Sequence, residues 1–157
     1  MSQTDDVRQE DDDPFDLERF TKAQDGYPGY EEALEEISRG RKQSHWIWYI
    51  FPQIAGLGYS SNSRYYAISS LDEARAYLAH PVLGTRLREC AEAVLGVEGR
   101  SASAIFGSPD DMKLRSSMTL FAAASNPGSI YSQVLEKYFG GRPDSETVRR
   151  LQTGRGS

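Results

Sequence analysis

The chain has 157 residues, 38% hydrophobic and 26% charged, which suits one domain that buries its own core. Its single cysteine excludes an intramolecular disulfide framework and a Cys-rich zinc site, and no apolar run approaches the roughly 18 residues of a bilayer span. The net charge of −5 resides in residues 1–13, where six acids face the one base Arg8, so the other 17 acids and 17 bases balance.

A neutral body disfavours a general nucleic-acid binder. A polar, acidic start is no secretory signal, so the expected location is cytoplasmic. Residues 1–12 are expected to be a disordered acidic tail, 13–152 a single helical domain and 153–157 a frayed end.

In chain order, Asp13-Pro14 reads as an N-cap acid followed by proline at the first helical position. Gln24 to Gly29 is a turn cluster. From Tyr30, the residues Ala33, Leu34 and Ile37 recur at helical spacing, with Glu31, Glu32, Glu35 and Glu36 on the other faces. Gly40 closes that helix, so Arg41 and Lys42 project from its end. His45 to Phe51 is short and apolar. Helical neighbours favour helix there, ended by Pro52. Gln53 to Ser63 reads as a loop.

Ser70-Leu71-Asp72-Glu73 is a capping box. His80-Pro81 breaks that helix and opens the next, where Leu83, Leu87, Cys90 and Val94 form a core stripe. Ser101 caps a short turn. Ser108-Pro109-Asp110-Asp111 starts another helix as cap, proline and two acids. Ser129 precedes a well-formed face through Tyr138, Gly140-Gly141 ends it, and Asp144-Ser145 begins the last helix. The predicted fold is mainly all-α: a compact multihelical single domain of about eight short helices. Segments 46–51 and 64–68 are where a strand has room.

The densest constellation of chemical groups is Arg41, Lys42, His45, Trp46 and Trp48. Bases stack on indole faces, and guanidinium or ammonium groups bind phosphate. The competing readings are a pair of core tryptophans and a basic pair that only complements a helix end. A second cluster holds Asp111, Lys113, Ser116 and Ser117, with Ser117 turned toward the core. There a hydroxyl needs a ligand or a carbonyl one turn back. If the clusters meet, Arg41, Lys42 and Lys113 hold phosphate, Trp46 and Trp48 stack, and His45 and Gln53 orient the ligand. Asp111, with Glu36 as the other candidate, then supplies the carboxylate that N-glycosidic chemistry requires. No metal site or cofactor motif is present. The implied partner is a small phosphorylated, nucleotide-like molecule. A non-catalytic interaction module is the alternative, with its protein partner unidentified.

Three motifs carry a resemblance. They are Lys42-x-x-His45-Trp46-x-Trp48-x-x-Phe51-Pro52-Gln53-x-x-Gly56-Leu57-Gly58, then Tyr77-Leu78-x-His80-Pro81-x-Leu83-Gly84-x-Arg86-Leu87, then Phe106-Gly107-x-x-Asp110 with Lys113-Leu114-x-Ser116-Ser117-x-Thr119-Leu120-Phe121. In this order they resemble the bacterial family of uncharacterised proteins known as domain of unknown function 1810, over roughly residues 15 to 140. The resemblance implies a compact helical domain and no particular reaction. Some members bear a "calpastatin" label, which suits long, disordered, repeated inhibitors and not a chain of this kind. A fainter similarity links the aromatic-basic cluster to helical domains that handle NAD-derived and ADP-ribose-containing molecules.

Overall fold

The structure, a computed structural model, describes residues 13–156, with side chains through Thr153. The acidic tail 1–12 lies outside the described residues. Among the described residues ten helices follow one another: α1 (Glu18–Asp25), α2 (Tyr30–Ser38), α3 (Ile47–Ile50), α4 (Ser61–Tyr65), α5 (Leu71–Ala79), α6 (Leu83–Gly96), α7 (Ala102–Phe106), α8 (Asp110–Ala123), α9 (Ile130–Phe139) and α10 (Ser145–Gly156). Among the described residues the β-type pairing is one parallel bridge, Ile54 to Ile68.

Helix α8 is the axis of the fold. Leu114 and the unbroken run Ser116 to Phe121 are buried, so this helix meets neighbours on most of its circumference. It packs against α5, α7, α9, α10 and the single turn α3, while α6 packs against α2, α5 and α9. The α6 stripe Leu83, Leu87, Cys90 and Val94 is buried as its spacing predicts. Burial pushes the Cys90 thiol up to about 12, so it remains a neutral core group. Tyr77 links two parts of the core: its ring meets Phe20 edge-on at 5.1 Å and Phe121 at 5.3 Å.

Most caps fall where the sequence puts them. Ser101, Ser129 and Ser70 each accept the amide three residues on. Gly140 is left-handed at φ +64°, and the Gly141 amide returns to the Leu135 carbonyl at 2.9 Å. His80 is a turn residue: its Nδ1 accepts the amides of Val82 at 3.1 Å and Leu83 at 3.2 Å. Gly84 is required by contact, since a Cβ there would lie 2.1 Å from the Leu78 carbonyl oxygen.

Several boundaries move. Asp13 does cap, but its carboxylate receives the amides of Leu17 and Glu18, because the left-handed Asp16 (φ +53°) delays the helix. Pro109 has non-helical torsions, so α8 opens at Asp110 with no cap from Ser108. The segment read as a plain loop contains α4, capped by Ser60. The last helix continues to Gly156, beyond Thr153.

Candidate functional site

The two sequence clusters meet, and the residue that joins them to the end of α2 is Glu36. This residue is only 7% exposed. Gly40, at φ +77°, turns the chain back so that residues 41–46 pass over it. Oε1 of Glu36 accepts the amides of Gln43 (2.8 Å) and Ser44 (2.9 Å) and the indole N–H of Trp46 (2.9 Å). Oε2 accepts the Ser44 hydroxyl at 2.6 Å. Burial by itself would raise the pKa of this carboxyl. The hydrogen bonds from Ser44, Gln43 and Trp46 outweigh burial and hold it below the ordinary carboxylate value.

Trp46 is therefore an internal residue. Its ring is fully buried among Phe51 and Phe106, and it offers a ligand no face. Lys42 is also internal, with its side chain 6% exposed and its ammonium 2.9 Å from Asp110 Oδ2 and 4.9 Å from the Trp46 ring centroid. It donates to the Ser44 carbonyl at 2.5 Å as well. This charge is already matched inside the fold, so it is not positioned to take a phosphate.

Asp110 serves both clusters. Its second oxygen lies 3.6 Å from the Lys113 ammonium, which in turn sits 5.2 Å from the Trp48 ring centroid. The carboxylate at the junction is thus Asp110, whereas Asp111 lies one step around α8 and accepts the amide of Met112 at 2.9 Å. Starting α8 one residue later is what exchanges these two acids. Ser116 bonds back to the Met112 carbonyl at 3.1 Å, the helix-internal arrangement. Ser117 is buried, and its hydroxyl has no hydrogen-bond partner. It lies one turn from Lys113 on the same face of α8.

The outward parts differ in character. Trp48 is half-buried, and its indole N–H is enclosed without an acceptor. Arg41 and His45 are exposed, and Gln53 is half-buried. Among the described residues no group of three or more His, Cys, Asp or Glu could hold a metal ion, and no helix is long and apolar enough to cross a membrane. Three clefts among the described residues are each lined by residues outside this cluster.

One of those clefts was missed by local sequence reading. It measures about 460 Å³ and lies between the loop at Ile54 and Ala55, the start of α5 and the end of α10, with Arg75, Arg149 and Arg150 on its wall. The available signal was Gly56, whose positive φ of +97° favours glycine and whose backbone lies against the Arg150 guanidinium.

A family model described as "Protein of unknown function (DUF1810)" matches residues 14–151. The chain is also similar to the conserved hypothetical protein Rv1873 from Mycobacterium tuberculosis, known from a crystal structure. The two are 52% identical over 89% of this chain and 99% of that one, with a TM-score of 0.86. No curated protein matches the chain.

Proposed function

The chain belongs to the family described as Protein of unknown function (DUF1810), and we propose that it is a binding domain for a phosphorylated, nucleotide-like small molecule, seated on the rim of Trp48 and Lys113. The observation that carries this reading is the half-buried Trp48 ring beside a lysine ammonium. An aromatic ring stacks on the indole. Lys113 is held to Asp110 only at 3.6 Å, so its ammonium can turn toward an oxyanion. Arg41, His45 and Gln53 lie in the same 41–53 stretch and supply donors and orientation.

Small-molecule binding fits this geometry better than catalysis. Asp110 is engaged by two lysines and Glu36 lies beneath Trp46. In its N-glycosidic form the reading therefore depends on Asp111 and His45 turning to the reacting bond. The test is a melting screen with nucleotides, NAD, ADP-ribose and sugar phosphates. A bound member at 100 times its dissociation constant adds about 2.7 kcal/mol of stability. The expected gain disappears in Trp48→Ala and Lys113→Ala. A gain that survives both substitutions removes the rim as the site.

The interaction-module reading has its own support in Tyr27, Tyr59 and Tyr65, exposed by 86%, 81% and 58%. An absence of any stabilising ligand, together with self-association in sedimentation, would shift the assignment to it.

A further inference from the structure

The arginine-lined cleft lies apart from the Trp48 rim, and its chemistry is more specific than its size. Its three guanidiniums face few carboxylates. Arg75 has Asp72 at 3.7 Å. Arg149 and Arg150 share the single carboxylate of Glu146: Arg149 forks onto both oxygens through Nε, at 3.2 Å, and Nη2, and Arg150 Nε lies 3.1 Å from one of them. The Arg150 contact lacks hydrogen-bond alignment, so a buried N–H there has no acceptor.

Arg150 also lies close against the Gly56 backbone. A Cβ at Gly56 would fall 2.3 Å from its guanidinium nitrogen, and Gly56 adopts φ +97°. The loop that carries Gly56 is tied down by Ala55 N–H to the Ile68 carbonyl and Ile68 N–H to the Gln53 carbonyl, each 2.8 Å. A hydrogen-bonded loop backbone therefore lies behind the guanidinium at the cleft wall. Helix α5 opens on the same cleft. The Ser70 hydroxyl takes the Glu73 amide, which leaves the first amides, those of Leu71 and Asp72, outside the helical ladder.

Beside the arginines the cleft has a polar edge, with Ser69, Ser70, Asp72 and Thr153, and an apolar floor. Ile54, Ala55, Leu71 and Leu151 line it. Leu71 and Leu151 also line a second groove of about 360 Å³ that continues along Ala122, Ala123 and Val148. A bare phosphate would leave this floor unused, and a plain hydrocarbon would leave the guanidiniums unused.

We infer that the two grooves form one site for an organic oxyanion with an apolar chain. Its head is held by Arg75, Arg149 and Arg150, and its chain lies over Leu71 and Leu151. Forked guanidiniums suit both carboxylate and phosphate heads.

Calorimetric titration of the full chain below the micellar range tests this with decyl phosphate and decanoate. Inorganic phosphate serves as head alone and decanol as tail alone. One decyl phosphate or decanoate per chain is expected, at least tenfold tighter than either control, and the tighter of the two names the head. The double variant Arg75→Gln/Arg149→Gln loses at least tenfold. Ala123→Trp weakens decyl phosphate and leaves butyl phosphate unchanged. Trp48→Ala leaves all of this unchanged, which separates the cleft from the rim. The inference is overturned if neither amphiphile binds, if decanol binds as tightly, or if the arginine variant binds normally.

Discussion

Replacing Glu36 by alanine is expected to lower stability by about 4–5 kcal/mol, from the cost of orphaned buried donors at about 1–3 kcal/mol each. Four donors converge on this carboxylate, and the Trp46 indole N–H is sealed from water. With the acceptor gone, that group and the Ser44 amide have no alternative in the core. The milder Glu36→Gln keeps an acceptor oxygen and removes the charge, and it is expected to cost about 1–3 kcal/mol. Urea unfolding at a series of pH values separates the charge from the shape. The folded pKa of Glu36 is depressed. Its contribution is therefore fully present above the unfolded carboxyl value of about 4.3 and is lost as pH falls through the lower folded value. The gap between wild type and Glu36→Gln should close on acidification through that window. A gap that is flat down to pH 2 would mean that the charge contributes nothing.

Arg19→Ala is the second large loss, expected at about 3–5 kcal/mol because it leaves a buried carboxylate without its cation. Arg19 and Glu73 side chains are 8% and 3% exposed and meet at 2.9 Å. The guanidinium also donates to the carbonyls of Phe15 and Asp16 at 2.7 Å, and to those of Tyr65 and Ala67 at 2.8 Å. One side chain thus ties the start of α1 to the 65–67 segment and to α5. Glu73 passes the link on, since its other oxygen accepts the Ser69 amide and hydroxyl at 2.8 and 2.7 Å. The Ser70 half of the expected capping box is in place, and the return bond from Glu73 reaches Ser69 instead of Ser70. Thermal melting reads the effect as a fall on the order of 10 °C or more. Arg19→Lys restores the charge without the fork and should recover only part of it. Full recovery with lysine would show that the carbonyl contacts add no stability.

The all-α fold was legible because its signals are local. The α6 stripe and the Ser101 and Ser129 caps each lie within one helix or turn. Glu36 was obscured by its neighbours, being one of four glutamates between residues 31 and 36. Yet it stands three residues from Ala33 and one from Ile37, both buried, so its place on the edge of the apolar face was recoverable. Asp110 and Asp111 could not be told apart, because their roles depend on the residue at which α8 begins. Lys42 and Trp46 carry the composition of a ligand site and the environment of a core. Composition cannot separate these, since the same cation–π and hydrogen-bond preferences operate in both. The arginine cleft joins segments around residues 55, 70 and 150, and no local pattern spans that separation.

One aromatic-basic stretch divides into an inner staple, Trp46 with Lys42 on Glu36 and Asp110, and an outer rim at Trp48. Indole emission measured during titration with ADP-ribose, as a phosphorylated nucleotide-like probe, tests this division directly. In Trp46→Phe the emission reports Trp48 alone and is expected to change saturably. In Trp48→Phe it reports Trp46 alone and is expected to stay constant. A saturable change in Trp48→Phe, or none in Trp46→Phe, would contradict the assignment of the rim as the binding surface.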